Sequence, residues 1–236
     1  MPENKYKRVI LKLSGEALAG EQKTGFHLPT ATAICESIKK AAALGVEIGI
    51  VVGGGNFWRG RSSQYMDTVR ADHIGMLATA MNAIALADVL ESIGCEVRVQ
   101  TTLPITAIAE PYIWQKTLRH FAKGRIVIFG CGVGRPYYTT DSAAALQAAE
   151  LSADILLKAT MVDGVYDKDP NVFDDAVKLK EIRHIDMLTG ELAVLDGTAA
   201  AMCRERKIPI RVFNLQDPDN IYRACLGEDI GTLVND

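Results

Sequence analysis

The chain is short of the residues that build disulfide or zinc scaffolds. Its 236 residues hold five cysteines, at positions 35, 95, 131, 203 and 225, an odd number without a C-x-x-C pair. That pattern excludes a disulfide framework and a zinc knuckle and points to a reducing, cytoplasmic setting. A basic excess is missing as well. With a net charge of −3 and a pI near 5.9, the chain carries no electrostatic footprint for nucleic acid. The stretch Met1-Pro2-Glu3-Asn4-Lys5-Tyr6-Lys7 lacks the hydrophobic core of a secretory signal, and no later apolar run reads as long enough to span a bilayer, so no membrane association is expected. His27, His73, His120 and His184 show no metal-ligand spacing, and no protein metal ligands are expected.

What is present is ordinary globular composition, 48% hydrophobic and 23% charged, enough to bury a sizeable core. Short β-branched runs alternate with longer helical patterns, the pattern of a mostly parallel sheet covered on both faces. Strands are expected at 8–13, 47–52, 97–101, 125–129, 154–158 and 208–213, and helices at 30–44, 72–93, 112–123 and 142–151. Gly45, Gly94 and Gly124 follow three of those helices as stop signals. A polar, Pro- and Asp-rich stretch from 160 to 180 reads as a surface loop beside a ligand.

Three glycine-rich stretches follow apolar runs: Lys12-Leu13-Ser14-Gly15, Gly53-Gly54-Gly55-Asn56-Phe57-Trp58-Arg59-Gly60, and Gly132-Val133-Gly134-Arg135-Pro136-Tyr137-Tyr138-Thr139-Thr140-Asp141-Ser142. Loops that end strands and feed helix N-termini expose main-chain N–H groups to anions, so phosphate handling is the expected chemistry. Familiar phosphate motifs nevertheless fail. The nearest Walker A match, Gly55 to Ser62, has arginine where a compact lysine is needed, and Gly130-Cys131-Gly132-Val133-Gly134 misses the dinucleotide fingerprint by one position. Cys131 reads as a small residue in a tight loop rather than a nucleophile, because no histidine is near it in sequence.

Five segments in order carry a resemblance over nearly the whole chain: Lys12 to Leu18, Gly53 to Gly60, Asp72 to Thr79, Tyr138 to Ala144 and Lys158 to Tyr166, with Ile208 to Asn214 and Gly231-Thr232-Leu233 beyond them. Together they resemble the bacterial uridylate (UMP) kinase branch of the amino acid kinase family. The third loop departs from that family's usual Gly-Thr-Gly-Asn-Pro by reading Gly132-Val133-Gly134-Arg135-Pro136. The resemblance implies a single three-layer α/β/α domain over 1–236, the amino acid kinase fold, with about 1–150 holding UMP and about 151–236 holding ATP. It also implies magnesium with ATP, a homohexamer, a GTP activator acting near 20–26, and a UTP inhibitor.

The roles it implies fall on particular residues. Lys12 and Asp141 would be catalytic, Lys12 bringing charge to the moving phosphoryl and Asp141 orienting it or organising phosphates and metal. Gly54, Asp72, Val133, Gly134, Arg135, Pro136, Tyr137, Tyr138, Thr139 and Thr140 would hold UMP. Lys12, Leu13, Ser14, Gly15, Gly55, Arg59, Thr160, Tyr166 and Asp169 would hold ATP. The residues alone leave simpler readings open: Asp72 and Asp141 each suit a helix cap, Lys12 a strand end, and Asp169 before Pro170 a turn. Two other functions also stay open, a small-acid kinase of the same family and a nucleotide-sensing module without turnover.

Overall fold

The computed structural model describes residues 5–58, 66–168, 170, 172–189 and 195–236. The strands are β1 (Arg8–Leu13), β2 (Glu47–Val52), β3 (Val97–Thr101), β4 (Glu110–Pro111), β5 (Ile126–Gly130), β6 (Ile155–Thr160), β7 (Val165–Tyr166), β8 (Lys178–Leu179), β9 (Glu181–Ile182), β10 (Ile210–Asn214) and β11 (Thr232–Val234). The helices are α1 (Gly15–Ala19), α2 (Leu28–Ala43), α3 (Thr68–Ser92), α4 (Trp114–Phe121), α5 (Thr140–Glu150), α6 (His184–Thr189), α7 (Gly197–Arg206) and α8 (Asn220–Leu226). Nine strands form one sheet in the order β4-β3-β5-β2-β1-β6-β10-β11-β9, while β7 and β8 make a separate hairpin. Every pairing in the large sheet is parallel except β10 with β11.

Strand alternation sorts the side chains into two cores. Val9, Leu11 and Leu13 face one side with Ile48, Ile50 and Ile155, under α2, α3 and α8. Ile10 faces the other with Val51, Val127 and Leu156, under α5 and α7. Each buried Leu or Ile contributes roughly 1.5–3 kcal/mol by leaving water, so the two layers of helices hold the sheet from both faces. Lys12 follows Leu11 and so falls on the α5 side, as does Lys158 after Leu157. The helix α3 is apolar and long enough, by length and composition, to cross a bilayer, which the sequence reading did not allow for. Its apolar residues Ala83, Leu86, Ala87 and Leu90 are instead spent in the first core, and it ends where Gly94 takes φ 91°.

The expected strands and helices are present, with shifted edges. The main difference is α3, which begins four residues before Asp72 because Asp67 caps it, accepting from the Arg70 amide at 3.1 Å. Asp72 is therefore inside the first turns and is not the cap.

Candidate active site

In a parallel sheet all carboxyl ends lie along one edge, and the crevice opens where consecutive connections leave in opposite directions. Here that point is β1. Its neighbour β2 leads outward to β5 and β3, and its other neighbour β6 leads to β10. A cavity of about 820 Å3 lies there, within the range of small-molecule sites, and is lined from the ends of β1, β2, β5 and β6 and from α3, α5 and the start of α7.

Its floor is a charge cluster. Lys12 and Lys158 are register partners on adjacent strands, so the strand period of two turns both to the same face. Between them stands Asp141 in the first turn of α5, with Lys158 Nζ donating to Oδ2 at 2.6 Å and Lys12 Nζ 3.0 Å from Oδ1. Burial pushes the Asp141 carboxyl up, but the two ammoniums outweigh it and hold the group below the ordinary aspartate range. Lys158 is held below the ordinary lysine range by burial, with Asp141 opposing that shift and Lys12 adding to it.

Asp141 is free for this task because Thr139 is the cap of α5, its hydroxyl accepting from the amides of Asp141 at 3.0 Å and Ser142 at 3.4 Å. The same Thr139 hydroxyl donates to Asp196, as does Ser142 Oγ at 3.0 Å. Asp196 in turn caps α7 by accepting from the Ala199 amide at 2.9 Å. One carboxylate thus ties the starts of two helices together at the cavity wall.

The glycine loop also meets a packing requirement that was not expected from the sequence. A Cβ on Gly54 would come within 2.9 Å of the Ala78 Cβ, and one on Gly15 within 2.7 Å of the Gly53 carbonyl oxygen. The glycines are required because the loops after β1 and β2 press against each other and against α3, as well as for any approach of ligand. Asn82, fully buried, holds that contact: its Nδ2 donates to the Gly53 carbonyl and to Asn56 Oδ1, both at 2.7 Å.

The loop after β5 is pinned in an uncommon shape, with φ of 66° at Cys131 and 70° at Tyr137. Thr79 Oγ1 accepts from the Cys131 amide and Asp72 Oδ2 from the Tyr137 amide, each at 2.7 Å. Burial pushes the Cys131 thiol up, against a nucleophilic role. Trp58 completes the wall, its ring N–H donating to the Ala71 carbonyl at 3.0 Å.

Of the residues singled out in the sequence, Lys12, Gly54, Gly55, Asp72, Val133, Arg135, Tyr137, Tyr138, Thr139, Thr140 and Asp141 line this one cavity. Gly134 and Pro136 belong to the same loop without lining it. Leu13 is wholly buried in the core beneath, so only its main chain is available to a ligand. Ser14 precedes α1. Thr160 ends β6, and Tyr166 sits on the β7–β8 hairpin with its hydroxyl donating to Asp163 at 2.7 Å; neither lines the cavity. Arg59 and Asp169 lie outside the described residues. Lys158, Asn82, Thr79, Trp58 and Asp196 had not been assigned roles from the sequence. A second hollow of about 590 Å3 beside β3 and β4 carries Asp88, Glu91 and Glu110 against Arg98 and has no comparable lysine pair.

Residues 7–214 match the model of the amino acid kinase family. Among solved structures, UMP kinase from Bacillus anthracis is 40% identical with a TM-score of 0.94, the match covering 98% of this chain and 96% of that one. UMP kinase from Ureaplasma parvum is 32% identical with a TM-score of 0.92, covering 98% of this chain and 100% of that one. Uridylate kinase from Archaeoglobus fulgidus is 28% identical with a TM-score of 0.73, covering 96% of this chain and 99% of that one.

Proposed function

The chain belongs to the amino acid kinase family, and from that premise we propose that it is a nucleoside monophosphate kinase that transfers the γ-phosphoryl group of ATP to UMP, giving ADP and UDP. The observation that carries this reading is the Lys12–Asp141–Lys158 cluster at the floor of a cavity reached by a helix N-terminus and glycine loops. Phosphoryl transfer asks little covalent help of a protein; it needs in-line positioning and fixed positive charge on the oxygens that gather charge. Lys12 supplies that charge and Asp141 fixes its position. The N-terminus of α5 and the Gly54-Gly55 main chain add dipoles of the right sign.

UMP is assigned to the part of the cavity walled by Gly54, Asp72 and the loop 133–140. ATP is assigned to Lys12, Leu13, Ser14, Gly15, Gly55 and Arg59 and, beyond the cavity, to Thr160 and Tyr166, with Asp169 as a further contact. The proposed lobes are about 1–150 for UMP and about 151–236 for ATP, with the loops at Gly15 and Gly55 contributed to the ATP side from the first. No cluster of three or more His, Cys, Asp or Glu side chains suited to a metal lies among the described residues. Magnesium, which neutralises phosphate charge when it is bound, would be held mainly by the nucleotide oxygens, with Asp141 as the candidate protein carboxylate. We assign the enzyme to pyrimidine nucleotide synthesis in the cytoplasm. An exposed stripe of Leu77, Met81 and Ile84 on α3 supports self-association, for which a homohexamer responsive to GTP and UTP is the proposed form.

The test is product identity. Incubation with ATP, magnesium and UMP should give UDP and ADP in equal amounts by phosphorus NMR; ATP consumption only with a small carboxylic acid, or binding without turnover, would replace this reading with one of its rivals.

A further inference from the structure

The geometry points to Arg135 as the residue that tells uracil from cytosine in the acceptor nucleotide, by donating to the exocyclic O4 that uracil carries and cytosine lacks. This rests on the kinase reading above and names the group on this chain that sets its choice of pyrimidine.

Position is the first argument. On that reading the acceptor's phosphate lies at the floor, within reach of Lys12 near the end of β1, so its base points away from there. Strand β5 stands two places from β1 in the sheet, across β2, or about 10 Å at the usual strand spacing. That separation suits the length of a nucleoside monophosphate and brings the base to the loop after β5. The loop is a rigid mount. Thr102 Oγ1 donates to the Cys131 carbonyl at 2.9 Å, Thr79 Oγ1 accepts from the Cys131 amide at 2.7 Å, and the Tyr137 amide donates to Asp72 Oδ2 at 2.7 Å. A Cβ on Gly134 would meet the Thr102 side chain at 3.0 Å, so the chain just before Arg135 is pressed against Thr102. Arg135 is thus held by contacts on either side of it. Its own side chain is exposed, lines the cavity and makes no hydrogen bond or ion pair among the described residues.

Donor chemistry is the second. Uracil, like thymine, presents the acceptor O4 where cytosine presents an amino donor. A guanidinium has five N–H donors and no acceptor, so it matches the first edge and opposes the second. The neighbouring polar groups do not separate the two bases. The hydroxyls of Tyr137 and Tyr138 donate or accept with equal ease. Asp72 only accepts and is engaged by the Tyr137 amide, which suits it to ribose hydroxyls. The Trp58 ring N–H is a donor, but the Ala71 carbonyl takes it at 3.0 Å. Val133, which also lines the cavity, carries no polar side-chain atom. On the β5 side, Arg135 is left as the donor-only group.

The test measures kcat/KM for UMP and for CMP on the full chain and on its Arg135→Ala and Arg135→Gln variants. The side chain is exposed and holds no other residue, so both variants should fold. In Arg135→Ala the preference for UMP should narrow by roughly 10- to 100-fold, the scale of one base-edge contact. The change should come from a loss with UMP and no loss with CMP. Arg135→Gln should stay nearer the wild type with UMP while admitting CMP, because its amide both donates and accepts. An unchanged ratio in Arg135→Ala overturns the proposal, whether both constants fall together, as for a phosphate contact, or neither moves. A wild type that phosphorylates CMP as readily as UMP, or prefers it, overturns the proposal too while leaving nucleotide phosphorylation in place. Absence of both UDP and CDP would instead remove the kinase reading itself, and this inference with it.

Discussion

The backbone amide of Tyr137 donates to the carboxylate of Asp72 at 2.7 Å, so the long helix α3 holds in place a loop residue that sits at φ 70°. Asp72 thereby shapes the wall of the cavity proposed for UMP in addition to facing it. Replacing it with alanine should remove a charge-assisted hydrogen bond worth roughly 1.5–3 kcal/mol and release the loop. KM for UMP should rise on the order of 10- to 100-fold, which is that energy read as affinity, while KM for ATP should change little. Asp72→Asn, which can still accept from Tyr137, should recover part of the loss. Steady-state kinetics in each substrate decide it; an equal rise in both constants would contradict the assignment.

Lys12 is the residue whose loss should fall most clearly on turnover. Lys12→Met leaves Asp141 paired with Lys158, so the fold should survive. The barrier should rise by about 3–4 kcal/mol, as when one preorganised donor is lost, and calorimetric UMP affinity should stay close to wild type, because the charge acts on the transition state. A variant with normal kcat would contradict the role.

Asp141→Asn separates cap from catalytic carboxylate, because Thr139 already caps α5. The asparagine keeps the volume but removes the carboxylate that Lys12 and Lys158 share, at a cost of roughly 3–5 kcal/mol, together with a large drop in kcat. The pH dependence has a defined sign. A carboxylate whose native pKa is depressed contributes stability that is present above its unfolded value, near 3.8, and is lost as pH falls through the lower native value. Melting temperatures measured on either side of that window should show the acid-labile component in the wild type and its absence in the variant.

Much of this site could be read in the sequence, because its parts sit in loops that announce themselves. Glycines after β1 and β2, and the Thr139-Thr140-Asp141 start of an alanine-rich helix, mark strand-to-helix turns wherever they fall in space. Lys158 gave no such signal. A lone lysine in an apolar strand becomes informative only when β6 is known to lie beside β1 in a register that faces it with Lys12, and adjacency of strands nearly 150 positions apart is a property of the topology. Asp196 was silent for the same reason, its partners Thr139 and Ser142 lying 57 and 54 positions away. The shortest elements, β4, β7, β8 and β9 at two residues each, are too brief to show a period. The helix α7 was missed because its alanine-rich sequence lacks an apolar stripe. The glycine triplet was recognised for its position, but the close approach of Gly54 to α3 needed the third dimension.

The most direct test of the account is ADP release measured across UMP, CMP, dTMP, acetylglutamate, glutamate, aspartate and carbamate as acceptors. A site that reads one nucleobase edge and the ribose hydroxyls rejects an analogue that leaves buried polar groups unpaired. The predicted result is turnover with UMP at a kcat/KM exceeding that for CMP by on the order of 10³ or more, and none with the small acids. Comparable turnover of UMP and CMP, or ADP release only with a small acid, would contradict it; in the former case Arg135, at the cavity rim, is the first residue to replace.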